Sequence, residues 1–149
     1  MWFLNRVANP VLRWVLRSRM HRLASGSLML ITLHGRRTGR AYTIPVQYAE
    51  DGGQVIVYPG RPGRKVWWKN LEGGVPVTFR IRGRETAGTA HVVREPSAVA
   101  DGLAVFLARF PSAARSLGVP KSADGAWNAS ELLHAAMERV IVRIEPSDG

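Results

Sequence analysis

The chain has 149 residues, contains no cysteine and carries a formal net charge of +10 at pH 7. Its length fits one domain, and the lack of cysteine excludes disulfides, thiolate metal sites and cysteine nucleophiles. No apolar run approaches the roughly 20 residues that span a bilayer. Because the sequence also lacks a signal-peptide pattern, we expect a cytoplasmic protein.

The positive charge is concentrated in the first two thirds of the chain. Residues 1–94 contain sixteen Lys/Arg and four acidic residues, whereas residues 95–149 contain five and seven. A field of this kind favours an anionic partner, which could be a phosphorylated or carboxylated cofactor, an anionic membrane surface or nucleic acid. The alternative is a solvated basic surface that has no specific partner.

Residues 2–23 have the pattern of an amphipathic helix. Asn9 and Pro10 suit a helix start, and apolar residues then recur at helical spacing with arginines on the flank. A basic, tryptophan-containing helix can lie on a membrane surface, which would place the protein on the inner face of the cell membrane. It can equally pack across one end of the folded domain.

Strand-like segments dominate the middle of the chain. The predicted strands cover residues 28–33, 42–48, 54–58, 75–81, 85–94 and 140–145. In the second of these, Tyr42, Ile44 and Val46 alternate with polar residues, which indicates a half-buried strand. Pro45 lacks an N–H group and should lie at an edge, a bulge or a bend.

Helices are predicted over residues 96–110 and 130–139, with a short helix over residues 66–71. The pattern predicts an α+β, mainly β fold: a small barrel or roll of about six mostly antiparallel strands, with an N-terminal helix and C-terminal helices. We expect a single domain over residues 1–149. It divides into the helix 1–24, a barrel core 27–94, and the helices and closing strand 95–149.

Two basic, glycine-bearing loops are the best candidates for an anion site. Residues 35–40 read G-R-R-T-G-R, and residues 59–65 read P-G-R-P-G-R-K. Glycines let backbone N–H groups converge on an anion, and arginines add paired donors that match phosphate oxygens. If both loops lie at the same mouth of the fold, one elongated anion could contact both.

Adjacent tryptophans follow the second loop. Neighbouring side chains on a helix point about 100° apart, so one of Trp67 and Trp68 can enter the core while the other lines a pocket. The alternative is that both belong to the core. Elsewhere, the four histidines lack metal-ligand spacing and no paired carboxylates stand out. A chain this poor in catalytic groups suits an enzyme whose cofactor performs the difficult step.

A combination of short motifs is similar to that of a known family. L-I-T-L-H-G-R-R-T-G-R at residues 30–40 is followed by T-I-P-V at 43–46, a D-G-G turn, a basic glycine loop and W-W-K-N-L at 67–71. This combination resembles the deazaflavin-dependent nitroreductases, the F420H2-dependent quinone reductase group of actinobacteria, within the flavin/deazaflavin split β-barrel superfamily. The best-matched stretch is about residues 28–94.

The resemblance implies that coenzyme F420, a deazaflavin, is the cofactor, with FMN as the less favoured alternative. The residues implied to contact or support it are Arg36, Arg37, Thr38 and Gly39 at its phosphate, Pro45 and Val46 at its ring, Arg61, Arg64 and Lys65 at its anionic tail, and Trp68 and Asn70 behind the loop around that tail. The implied partner is a small hydride acceptor such as a quinone, and the protein would be a monomer or a homodimer.

The implied activity is hydride transfer to a quinone-like or other hydrophobic electrophile. Nitroreductases of the family carry substrate-contacting tyrosines near the C-terminus, whereas residues 95–149 contain no tyrosine, so the acceptor stays open. The alternative is a non-catalytic, membrane-peripheral barrel that binds lipid or cofactor. A nucleic-acid-binding module ranks third, because the aromatic residues fall mostly at apolar positions rather than among the basic ones.

Overall fold

The computed structural model describes residues 28–60, 67–121 and 123–147. Within these ranges, seven strands form one antiparallel sheet that is accompanied by α-helices and short 3-10 helices. The strands are β1 (Leu28–His34), β2 (Ala41–Gln47), β3 (Ala49–Asp51), β4 (Gln54–Val57), β5 (Val75–Ile81), β6 (Arg84–Val93) and β7 (Ile141–Pro146). The helices are α1 (Pro96–Arg109), α2 (Ala114–Leu117) and α3 (Ala129–Ala136), with 3-10 helices at Trp67–Leu71 and Pro111–Ala113.

The sheet curls because its two outermost strands are consecutive in the chain. The strand order is β2-β1-β5-β6-β7-β4-β3, and only Tyr48 separates β2 from β3. Strands about 4.8 Å apart would place the first and last of seven about 29 Å apart in a flat sheet. One residue spans only about 7 Å between its neighbours, so the sheet must bend round into a barrel-like form.

The interior of the curl holds one core, built from alternate residues of the strands. Met29, Ile31 and Leu33 of β1 are fully buried, and Val77 and Phe79 of β5 face them. The predicted alternation in residues 42–48 is confirmed, since its apolar members pack against this core. Because successive side chains of a strand point to opposite faces of the sheet, the alternation gives the sheet an apolar inner face and a separate outer face.

A second core lies between the outer face of the sheet and the helices. Ile56 and Ile141 turn outward from β4 and β7 and pack with Leu103 and Leu107 of α1. α1 begins at Pro96, as predicted. Glu95 is its N-cap, and the carboxylate accepts hydrogen bonds from the N–H groups of the first turn. The helices therefore cover one side of the barrel.

The predicted fold class, α+β and mainly β, is confirmed, but the expected strand count of about six differs from the observed seven. The segment 42–48 does not continue as one strand, because the chain changes partner at Tyr48 from β1 to β4. The last helix ends at Ala136, three residues before the predicted end. The predicted helix 1–24 lies outside the described residues.

Candidate functional site

One end of the barrel gathers the turn 35–40 and both ends of the long β4–β5 connection. The turn joins β1 to β2, whose residues His34 and Ala41 are paired. Following the registers round the sheet, Val57 at the end of β4 and Val75 at the start of β5 lie at the same end as His34. The connection that carries the second basic loop therefore leaves and re-enters the sheet beside the first.

The turn 35–40 is tight and exposed. The N–H of Gly39 donates to the carbonyl of Gly35 at 2.8 Å, and the N–H of Gly35 donates to the carbonyl of Arg40 at 2.8 Å. Gly39 has a φ of 72°, a conformation that favours glycine. Within the described residues, the N–H groups of Arg37 and Thr38 have no hydrogen-bond acceptor. The turn thus offers free donors beside exposed guanidinium groups.

Asn70 joins this turn to the 3-10 helix that follows the second basic loop. Its Oδ1 accepts a hydrogen bond from the backbone N–H of Arg36 at 2.9 Å. Its Nδ2 donates to the hydroxyl of Tyr42 at 2.5 Å and to the carbonyl of Trp67 at 3.0 Å. The Arg36 guanidinium adds a longer contact of 3.5 Å to the carbonyl of Lys69. One amide therefore holds the turn, β2 and the helix together.

The tryptophans anchor the same 3-10 helix. Trp68 is 2% exposed within the barrel core, whereas Trp67 is half-buried and packs against it. The guanidinium of Arg94 lies 5.1 Å from the centre of the Trp68 ring and also pairs with Glu72. Trp68 therefore enters the core, and Trp67 contacts the core while it stays partly exposed. Trp68 Nε1 is buried without an acceptor in the described part of the chain.

The edge of β2 faces the same region. Within the described residues β2 has a hydrogen-bonded neighbour only on its β1 side, so the prediction that Pro45 lies at an edge is confirmed. Pro45 and Val46 are half-buried, about 13 Å along the strand from the basic turn. An unpaired strand edge presents backbone donors and acceptors to a ligand. This edge begins at Ala41, directly after the turn.

Tyr42 is a site residue whose contact had no local sequence signal. Burial raises the pKa of its phenol, so the hydroxyl stays protonated at neutral pH and accepts the Asn70 hydrogen bond. The alternation in β2 predicts its inward direction. The partner lies 28 positions further along the chain.

The structure brings together most of the residues proposed from the sequence. Arg36, Arg37, Thr38 and Gly39 form the turn, Asn70 bonds to it, Trp68 anchors the helix behind it, and Pro45 and Val46 lie on the adjoining strand edge. Arg61, Arg64 and Lys65 lie outside the described residues. The free donors of the turn and its cationic side chains suit an anion.

Among the described residues, no helix is both long and apolar enough to cross a membrane. The predicted membrane contact through residues 2–23 falls outside the described part of the chain.

The fold resembles several solved structures. An F420-H2-dependent reductase, FDR-A, matches with a TM-score of 0.55 and 14% identity, covering 80% of this chain and 94% of that one. A Mycobacterium tuberculosis protein matches with a TM-score of 0.54 and 17% identity, covering 88% and 81%. A Bacteroides thetaiotaomicron protein matches with a TM-score of 0.52 and 10% identity, covering 88% and 81%. At these identities the likeness supports the fold alone.

A comparison with curated proteins found no match. The model of one protein family, described as F420H(2)-dependent quinone reductase, matches residues 6–100, which include the basic turn, the β2 edge and the Asn70 helix. This match shows that the chain belongs to the F420H(2)-dependent quinone reductase family and is an oxidoreductase that uses coenzyme F420.

Proposed function

We propose that this protein passes a hydride from reduced F420 to a quinone-like or other hydrophobic electrophile. The turn 35–40 would hold the cofactor phosphate, the edge at Pro45 and Val46 would hold its ring, and the basic residues of the segment 61–65 would face its anionic tail. When bound, the reduced cofactor supplies the hydride. The chain itself would position the cofactor and the acceptor, neutralise the negative charge of the cofactor and exclude water.

The Asn70 hydrogen bond to Arg36 is the observation that carries this proposal. Asn70 stands four positions after Val66, the last residue of the undescribed segment 61–66. Because its amide also binds Tyr42, the turn, the strand edge and the start of the 3-10 helix keep one arrangement. A ligand on the turn is therefore close to the chain that leads out of the second basic loop.

The chemistry of the turn supports a phosphate ligand. Free N–H groups at Arg37 and Thr38 are neutral donors of fixed direction, and the Arg37 and Arg40 side chains are exposed cations. A phosphate that accepts from both kinds of donor gains charge-assisted hydrogen bonds. The same cations would attract a multiply charged anion from a distance.

Titration with oxidised F420 tests the cofactor site. We expect saturable binding that Arg37→Ala and Lys65→Ala each weaken by about tenfold, as loss of a charge-assisted contact predicts. Arg115→Ala removes the same charge from an exposed site on α2 and should leave the dissociation constant unchanged. Equal weakening by all three variants would show a non-specific charge effect and would count against the assigned site.

Three further measurements separate the alternatives. Single-turnover oxidation of reduced F420 by 2-methyl-1,4-naphthoquinone should occur. Binding without any turnover, with this or other hydrophobic acceptors, would favour the non-catalytic alternative. Tighter binding of FMN than of F420 would contradict the cofactor assignment at this site. Tight single-stranded DNA binding with a steep salt dependence would favour the nucleic-acid module.

The membrane contact is tested separately. We expect the full chain to sediment with vesicles of phosphatidylglycerol and phosphatidylcholine, and a variant without residues 1–24 to stay in solution. Equal sedimentation of both would remove the role of this segment while leaving the cofactor proposal intact.

A further inference from the structure

The end of the barrel opposite the basic turn contains a cavity of about 510 Å³. Its wall includes residues of the β3–β4 and β5–β6 hairpins and the last residue of β7. These hairpins lie at the end of the sheet away from His34, because β5 and β6 are antiparallel neighbours that meet at residues 82–83. A seven-residue strand separates the two ends by about 20 Å. Pro45 and Val46 lie nearer to this end than the basic turn does. Neither they nor any residue of the turn lines the cavity, which is therefore distinct from the proposed cofactor surface.

The inner wall of this cavity is apolar. Val55, Phe79 and Ile81 line it and belong to the barrel core or pack against it, and Pro146 closes one side. This volume lies within the range that small-molecule sites occupy, and such sites are mostly apolar with a few polar groups. The wall suits the hydrophobic body of a ligand.

The charged groups of the cavity are predominantly cationic. Arg84 pairs with Ile81 in the β5–β6 register, so its side chain lies on the inner face, and within the described residues it has neither a hydrogen-bond nor a salt-bridge partner. Arg82 also lines the cavity. Glu50 supplies a single carboxylate on the same wall. Two guanidinium groups against one carboxylate leave one excess positive charge.

Arg82 is held in an unusual backbone conformation at the mouth of this cavity. Its φ is 51°, and within the described residues it is the only non-glycine residue with a positive φ. The two-residue turn 82–83 needs this conformation at both positions, for which glycine or asparagine is the usual choice. Strain of this kind is concentrated at functional sites. Glycine or asparagine would relax the backbone at this position, but the positive charge at the cavity would then be lost.

We propose that this cavity binds a small amphipathic monoanion, an apolar body that bears one carboxylate or sulfonate. The apolar body lies against Phe79 and Ile81, and the anionic group binds Arg84 with Arg82 beside it. Glu50 disfavours ligands of higher negative charge and so directs the site to monoanions. The site stands independently of the proposed hydride transfer, because none of its lining residues belongs to the proposed cofactor surface.

Fluorescence titration of the full chain with 8-anilinonaphthalene-1-sulfonate tests the proposal. We expect one saturable site from which octanoate displaces the probe and octyltrimethylammonium does not. Arg84→Gln should weaken probe binding by about fivefold to tenfold, the effect of losing a charge-assisted contact. Arg80→Gln removes the same charge from the outer face of the same hairpin, where Arg80 is exposed, and should change the dissociation constant by less than about twofold.

Three results would overturn the proposal. The first is an unchanged dissociation constant in Arg84→Gln, and the second is equal displacement by the cationic detergent. The third is competitive displacement of the probe by F420, which would place the probe at the cofactor surface. A variant such as Arg37→Ala that loses F420 binding but retains probe binding would support the new site. This result would stand even if other tests contradicted the cofactor proposal.

Discussion

The Oδ1 atom of Asn70 accepts a hydrogen bond from the backbone N–H of Arg36 at 2.9 Å, across 34 positions of sequence. The contact joins a basic turn between two strands to a short helix in a different connection. Since the same amide donates to Tyr42 and to the Trp67 carbonyl, its two polar atoms are both engaged. Asn70 is therefore the point at which the parts of the proposed cofactor surface are held in register.

Asn70→Ala should weaken both folding and cofactor binding. The variant loses three hydrogen bonds, some of them in a half-buried position, and we expect a loss of about 1–3 kcal/mol in the free energy of unfolding. Urea unfolding measures this loss, and F420 titration measures the affinity. Tyr42→Phe removes only one of the three bonds and should cost less in both measurements. If Tyr42→Phe were less stable than Asn70→Ala, or bound F420 more weakly, the central role of the Asn70 amide would be contradicted.

Gly39→Ala should strain the basic turn without a steric clash. The residue has a φ of 72°, and a Cβ atom built there meets nothing within 4 Å, so the cost comes from the backbone alone. We expect destabilisation of about 1–2 kcal/mol by thermal or urea unfolding. Gly39→Asn should lose less, because asparagine tolerates this conformation. Equal losses in both variants would mean that the side chain, rather than the backbone, is responsible.

Arg82→Gly should stabilise the protein. Glycine adopts the φ of 51° at this turn without the strain that an L side chain carries. We expect a gain of about 1 kcal/mol in the free energy of unfolding and a rise of about 3 °C in Tm. Arg82→Ala keeps the unfavourable conformation and serves as the control. If alanine stabilises as much as glycine, the gain arises from charge removal and not from backbone relaxation.

Glu95→Gln should change the response of stability to acid. Hydrogen bonds from the Ser97 hydroxyl and from the N–H groups of Ala98 and Ser97 hold the pKa of Glu95 below its ordinary value of 4.5. A lowered carboxyl pKa adds stability above the unfolded-state value, and that stability is lost as the pH falls through the folded-state value. The variant should be less stable than the parent at pH 7.

The difference between Glu95→Gln and the parent should shrink as the pH falls from 4.5 through the lower folded-state pKa, below which the carboxyl is protonated in both states. Urea unfolding at a series of pH values measures it. Ser130→Ala, at the start of α3, removes a capping-region hydroxyl that does not titrate and should give a pH-independent difference. If the difference in unfolding free energy between Glu95→Gln and the parent does not change with pH, the cap acts through its hydrogen bonds and not through its charge.

Short-range patterns predicted most of the individual elements. The alternation in residues 42–48, the paired glycines 52–53 and 73–74 and the Glu95-Pro96 helix start each depend on neighbours a few positions apart. Such signals are local, so they can be recognised in the sequence without knowledge of the fold. The break at Tyr48 was missed because the residue itself continues the alternation, and only its distant strand partners change.

The sequence by itself determined an antiparallel, mainly β protein with a basic glycine turn, because residue spacing and turn chemistry act within a few positions. The tertiary structure alone decided that Asn70 holds this turn, that β2 leaves one edge open, and that Arg84 lines a cavity at the far end. Those contacts join residues tens of positions apart. They arise from the closure of the sheet, which depends on all seven strands at once.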